Sequence, residues 1–201
     1  MSDLQCAATL LIARHGEAEY ETELLTDAGG SLTRAGRAQA VALAESLAGS
    51  PIALVYTSAL SRAVQTAEIV AARTGAGVAV REGLAEWSVG EHAGTPYVAG
   101  LFEPVFEAWE SGDVEARVPG SESCAEIRDR VGGVLREIAD LHRGETVLVV
   151  SHTGAIQTTV PALVGLPDSF AASHPVGYTA VVEVAVDGDG WVLRSWPEPS
   201  P

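Results

Sequence analysis

Two histidines in this chain follow short apolar runs and stand one or two residues before a glycine. The first lies in Ala13-Arg14-His15-Gly16, the second in Val150-Ser151-His152-Thr153-Gly154. A third apolar run ends in Thr57-Ser58, with Arg62 a turn into the segment that follows. If these runs are strands of one parallel sheet, their ends share an edge, which is where open α/β sheets bind ligands. The groups gathered there would be two imidazoles and two guanidinium groups. Arginine forks match tetrahedral oxyanions, and a helix starting just after a strand adds backbone N–H donors. The set reads as a dianion pocket, most simply for phosphate. Cleaving a phosphomonoester also needs a nucleophile and an acid for the leaving alkoxide. Glu86, in Leu84-Ala85-Glu86-Trp87, is the candidate acid. A phosphate beside it would raise its pKa, as that role requires.

Metal chemistry is the rival reading, and the ligand spacing does not support it. There is no HExxH, no HxH and no cysteine partner for either histidine. No metal and no cofactor is expected. Asp187-Gly188-Asp189 lacks the remaining positions of a calcium loop and reads as a turn. His92, His142 and His174 sit in no motif and read as ordinary side chains.

The elements that must position these groups follow from periodicity. Residues 9–14 read as a strand and 17–31 as a loop. Thr33 reads as the cap of a helix carrying Ala40, Val41, Ala44, Leu47 and Ala48 on one face. Strand 52–56, helix 60–73 and a short strand 78–80 come next. Residues 83–120 break the rhythm with glycine, proline and aromatics. Phe102, Phe106 and Trp109 at helical spacing predict a lid helix near 98–111, its aromatic stripe serving mainly to pack the lid on the body. A long helix over 123–142 carries Ile127, Val131, Val134, Leu135, Ile138 and Leu141. Strand 146–150, a helix through 164 and a hairpin of 179–186 with 190–196 complete the chain. Alternating strands and helices predict an α/β fold with a mostly parallel central sheet covered by helices.

Composition narrows the partners. The chain has 201 residues and a net charge of −15, and its twelve basic residues are all arginine. So acidic a surface repels phosphate backbones, so nucleic acid is not an expected partner. An anion would have to be held by a local cluster of arginines. Cys6 and Cys124 are far apart and read as unpaired thiols. No apolar run is long enough to span a bilayer, so no membrane partner is expected, and Met1-Ser2-Asp3-Leu4-Gln5 lacks a basic leader. The expectation is a cytoplasmic protein with one domain over 1–201 and a lid insertion of about 88–118.

Six blocks in order resemble the histidine phosphatases, the superfamily of cofactor-dependent phosphoglycerate mutase. Arg14-His15-Gly16-Glu17 is similar to the family signature. Leu32-Thr33, Gly36, Gln39 and Ala40 resemble its LTxxGxxQA helix. Tyr56-Thr57-Ser58-Ala59-Leu60-Ser61-Arg62-Ala63-Val64-Gln65-Thr66-Ala67 resembles the next block. Leu84, Glu86, Gly90 and Gly94 resemble the acid-bearing segment. Pro119-Gly120-Ser121-Glu122-Ser123 is similar to PGGES, and Ser151-His152-Thr153-Gly154 to SHGG. The resemblance implies a three-layer α/β/α fold in which His15 becomes phosphohistidine. It also implies that Arg14, Arg62, His152 and Thr153 hold the phosphoryl group, and that Glu86 acts as acid and then base, without a metal. Two positions depart from the pattern. Ala18 stands where a serine or threonine is usual, and Glu21 where many members have a phosphate-contacting asparagine.

The expected activity is therefore hydrolysis of small-molecule phosphate esters. Two alternatives stay open: a phosphoglycerate mutase-type phosphotransferase, and a weakly active or non-catalytic phospholigand-binding protein. The absence of lysine, which family mutases use to hold a substrate carboxylate, favours the phosphatase. A homodimer is allowed by the sequence but not demanded by it.

Overall fold

The computed structural model describes residues 6–19 and 23–198. The strands are β1 (Ala8–Arg14), β2 (Ala18–Glu19), β3 (Ser31–Leu32), β4 (Ile52–Thr57), β5 (Gly77–Val80), β6 (Thr146–Ser151), β7 (Val181–Asp187) and β8 (Gly190–Ser195). The α-helices are α1 (Arg34–Ser46), α2 (Ser61–Thr74), α3 (Glu103–Glu110), α4 (Cys124–Leu141), α5 (Thr153–Leu163) and α6 (Phe170–Ser173).

Six strands form one sheet in the order β5-β4-β6-β1-β7-β8. The first four are parallel; β7 runs antiparallel to β1, and β8 to β7. β1 and β6 lie in the middle and are covered on both faces, which is why they read as unbroken apolar runs rather than alternating ones. Ala8, Leu10, Ile12, Ala13 and Val147 to Val150 are almost wholly buried. One apolar core joins α1 and α2 to one sheet face, through Leu43, Leu47, Ala67 and Val70 against Leu11 and Val150. The other core sets α4, α5 and the lid on the opposite face, through Ile127, Leu135 and Ile156 against Leu10 and Val149. This is the three-layer α/β/α architecture with a mostly parallel sheet that the sequence predicts.

Local chemistry explains the helix starts. The Thr33 side chain accepts from the Gly36 N–H at 2.9 Å and caps α1. Ser123 and Glu126 cap α4 reciprocally in a capping box.

Some expectations need correction. The 17–31 segment is not all loop, because β2 and β3 pair antiparallel, Ala18 opposite Leu32. The lid helix is shorter than 98–111. α3 starts only at Glu103, after Gly100 at φ +81°, a left-handed conformation that a helix does not continue through. Leu141 is 61% exposed although the stripe includes it; it is the final residue of α4, and Ile138 and Ala139 in the same turn are the last to be buried. Ala48 is exposed too, and Leu43 takes its place in the core. Among the described residues, no helix is long and apolar enough to cross a membrane.

Candidate active site

Register brings the three strand ends together. Arg14 of β1 pairs with Ser151 of β6, and Thr57 of β4 pairs with Val150. His15, Ser58 and His152 therefore leave neighbouring strands at the same level. Backbone bonds continue the ladder one step further, from His15 N–H to Ser151 O at 3.0 Å and from Ser58 N–H to Val150 O at 3.3 Å.

His15 is 6% exposed. Its Nδ1–H donates to the Gly16 carbonyl at 2.7 Å, which leaves Nε2 as the unprotonated nitrogen. Arg62 Nε donates to that Nε2 at 3.1 Å. Burial, together with the guanidinium groups of Arg62 and Arg14, lowers the His15 pKa to about 3 against the pull of the Gly16 hydrogen bond. The ring is thus a neutral base at any physiological pH. His152 lies with its ring centroid 5.0 Å from that of His15 and is wholly buried. Its Nε2 is 2.7 Å from Ser58 Oγ, and its Nδ1 is buried with no hydrogen-bond partner. Burial, with Arg62, His15 and Arg14 nearby, holds its pKa well below the usual imidazole value.

Arg14 donates through Nη1 to Val176 O at 3.0 Å, and its guanidinium lies 4.0 Å over the Tyr178 ring. Arg62 is buried on the first turn of α2, and its Nη1 is buried without a hydrogen-bond partner. Gly29, at φ +67°, passes so close that a Cβ there would overlap Nη1. Thr153 Oγ1 is a third buried polar atom without a partner. Buried polar groups are normally satisfied. Here the orphaned atoms belong to a residue bonded to His15, to one whose ring lies against it, and to the next residue in the chain.

Glu86 meets the start of α5. Its Oε2 accepts from the Gly154 N–H at 2.9 Å, and its Oε1 from Ala155 N–H at 2.8 Å and Trp87 N–H at 3.1 Å. Burial raises the carboxyl pKa, while those three N–H donors pull it down. Gly154 is dictated by proximity. A Cβ there would lie 2.6 Å from Glu86 Oε1 and 2.5 Å from Trp87 Nε1.

The supporting residues are mostly those of the sequence blocks. Gly16 and Gly36 pass so closely that a Cβ on Gly36 would lie 1.9 Å from Glu17 O. Gln39 Oε1 accepts from Glu17 N–H at 2.7 Å, and Gln65 Oε1 from Leu32 N–H at 2.9 Å. Thr66 Oγ1 accepts from Gly16 N–H at 3.1 Å and donates to Arg62 O at 2.8 Å. Ser151 Oγ donates to Leu84 O at 2.8 Å, fastening the Glu86 segment to the end of β6.

Every residue proposed from sequence for this site is brought to it: His15, Glu86, His152, Arg14, Arg62 and Thr153. Arg130 was not foreseen, although it grips the backbone just before Glu86, at Gly83 O and Ala85 O. Nor was the stacking of Tyr178 on Arg14. Neither carries a spacing signal, because each acts across the fold. Of the two departures, Ala18 lies in β2 beside the site loop, and Glu21 lies outside the described residues. His92, His142 and His174 have structural partners: Phe102, Tyr56 with Glu145, and Phe170.

Among the described residues, two of the cavities that Glu86 lines also reach other residues proposed from sequence for this site. One of about 500 Å³ also reaches Arg62 and is walled by Leu24, Leu25, Trp87, Val89, Tyr97 and Phe102. The other, of about 290 Å³, lies between the lid and the start of α5 and reaches Thr153.

Comparisons with known proteins agree with this geometry. The sequence model of the histidine phosphatase superfamily (branch 1) matches residues 10–199. Phosphoglycerate mutase-like protein 4 of Arabidopsis thaliana is 32% identical over 200 residues, spanning 96% of this chain and 86% of that protein. A mycobacterial glucosyl-3-phosphoglycerate phosphatase superposes with a TM-score of 0.80 at 26% identity, over 96% of this chain and 100% of that one. Bacillus stearothermophilus YhfR superposes with a TM-score of 0.82 at 28% identity, over 96% and 98% of the two chains. By sequence match, fold and the residues at its strand ends, this chain belongs to the histidine phosphatase superfamily.

Proposed function

We propose that the protein hydrolyses small-molecule phosphate monoesters through a phosphohistidine at His15, without a metal ion. The observation that carries this reading is the state of His15. Its Nδ1–H is committed to Gly16 O, so the lone pair is on Nε2, where Arg62 Nε–H now holds it and a phosphoryl group would take that donor over, and unsatisfied buried donors surround it.

In this mechanism Nε2 forms a bond to phosphorus as the ester P–O bond breaks. The phosphoryl oxygens take hydrogen bonds from Arg14, Arg62 and Thr153 Oγ1. His152 joins them through Nδ1–H when Ser58 donates its hydroxyl proton to Nε2. The leaving alkoxide takes the Glu86 proton. Water then attacks phosphorus, Glu86 accepts its proton, the P–N bond breaks and phosphate departs. Phosphorylated His15 is an imidazolium, whose Nδ1–H bond to Gly16 O strengthens with the charge. Glu86 suits both duties, since burial favours its protonated form and the three N–H groups favour the carboxylate.

The test is a phosphomonoester panel assayed on folded protein with a chelator present. Turnover is expected, with an acid-labile phosphoenzyme that the His15→Ala variant neither forms nor turns over. No turnover of any ester would refute the hydrolase. Primed mutase activity with bisphosphoglycerate would replace this reading with the phosphotransferase.

A further inference from the structure

We infer that the leaving group this site accepts is apolar and carries no carboxylate or second phosphate. This rests on the hydrolase reading and specifies its substrate class. The cavity of about 500 Å³ holds both Arg62 and Glu86, so a phosphoryl group in the clamp directs the rest of its ester into that space. Its walls are mostly apolar, from Leu24, Leu25, Trp87, Val89, Tyr97 and Phe102, with Thr26 the one neutral polar residue apart from the Tyr97 hydroxyl. The loop carrying Leu24 and Leu25 is fastened to the lid by backbone bonds, Leu25 N–H to Thr95 O at 2.8 Å and Gly94 N–H to Leu25 O at 2.9 Å. The apolar wall is therefore a built surface. Glu23 and Asp27 add negative charge to the same wall.

An anionic leaving group would need a cation there, and the arginines are otherwise committed. Lysine is absent, and the stretches 1–5, 20–22 and 199–201 contain no arginine, so all twelve arginines lie among the described residues. Arg14 and Arg62 belong to the phosphate clamp. Arg34, Arg37, Arg73, Arg136 and Arg194 are exposed and do not line the cavity. Arg81 and Arg117 pair with Glu137 and Glu126, and Arg143 with Asp140. Arg128 lines the smaller cavity, but it binds Asp168 at 2.6 Å and Thr158 O at 2.9 Å. Arg130 is held by Glu122 and two carbonyls. The start of α5 is another natural carboxylate site, and there Glu86 already occupies the Gly154 and Ala155 N–H groups. A substrate carboxylate would thus be desolvated opposite acidic side chains with no uncommitted cation to meet it. The relatives named for phosphoglycerate compounds make this a sharp contrast.

The experiment compares phenyl phosphate with 4-carboxyphenyl phosphate, a pair differing by one remote charge. Binding is measured calorimetrically on the non-turnover His15→Ala variant, and hydrolysis on the wild type. The carboxylated twin should bind at least about tenfold more weakly, the factor that corresponds to one modest like-charge penalty. Tyr97→Arg, at an exposed position on the rim, should narrow that gap several-fold. Equal or tighter binding of the carboxylated twin overturns the inference, whatever the hydrolysis result. If phenyl phosphate binds preferentially but the wild type cleaves neither ester, the hydrolase fails and the binding preference stands.

Discussion

Arg130 and Glu122 form a two-pronged ion pair, with Nε to Oε1 at 2.6 Å and Nη2 to Oε2 at 2.7 Å. The remaining nitrogen, Nη1, donates to Gly83 O at 3.1 Å and Ala85 O at 2.9 Å. One guanidinium thus ties α4 to the backbone immediately before Glu86. It touches no reacting atom and acts as a positioning residue. Arg130→Ala should lower kcat for alkyl phosphates by roughly 10- to 100-fold, the scale of a misplaced catalytic group. KM and inhibition by vanadate should change little. The loss should be smaller with 4-nitrophenyl phosphate, whose leaving group needs little help from an acid. Arg130→Lys should restore only part of the rate, because a point cation cannot bridge a carboxylate and two carbonyls together. Equal losses on both kinds of ester would indicate general disruption.

Gly154→Ala tests the contact between Glu86 and the start of α5. The added methyl would overlap Glu86 Oε1 and Trp87 Nε1, while Gly154 has no left-handed φ to make alanine strained by itself. The carboxylate must therefore move. The expected result is a kcat loss of about 100-fold, within the usual range for removing a general acid, with little change in melting temperature. Unaltered kcat would show that Glu86 is not the proton donor.

The buried histidines set the acid side of stability. The unfolded chain protonates His15 near 6.5 and the folded chain only near about 3. Between those values the unfolded state binds more protons, so stability falls as pH falls through that window. His152 acts in the same direction. Glu86 has the opposite sign: its raised pKa contributes stability below the unfolded value of 4.5 that is lost as pH rises through the folded one. For His15 alone the loss at pH 5 is about 2 kcal/mol. Melting curves at pH 7 and pH 5 should show a larger drop for the wild type than for His15→Gln, and equal drops would contradict a neutral buried His15.

Gly36→Ala addresses the backbone crossing beneath the nucleophile. Its Cβ would sit 1.9 Å from Glu17 O, and the atom in the way is main chain that cannot rotate aside. A destabilisation of about 3 kcal/mol is expected, the upper part of the range for overpacking. Urea melts on the two proteins would measure it. Gly133→Ala on α4 has nothing within 4 Å of its Cβ and should be tolerated, as the control.

Some of this protein is written locally. The apolar runs of β1, β4 and β6, the Thr33 cap and the long helix from about 123 need only neighbours in sequence, so periodicity and the Thr33 cap place them correctly. His15, Arg14 and His152 were legible because they end such runs, and a parallel sheet aligns strand ends as a consequence of its topology. Glu86 was named from the reaction's need for an acid and from its block, but no local rule says that its carboxylate will meet the N–H groups of Gly154 and Ala155.

Tertiary structure decided the rest. It placed Arg130 on the Ala85 carbonyl across 45 residues of chain, and Tyr178, just before β7, over Arg14 of the neighbouring β1. It shortened the lid helix and set its aromatics around Trp87. It also showed why Gly36 and Gln39 belong with Arg14-His15-Gly16-Glu17: one admits the crossing backbone, and the other hydrogen-bonds Glu17. Sequence spacing reports which residues share a face of one element. Distances between elements depend on packing, and packing fixed which cations remained available to a substrate.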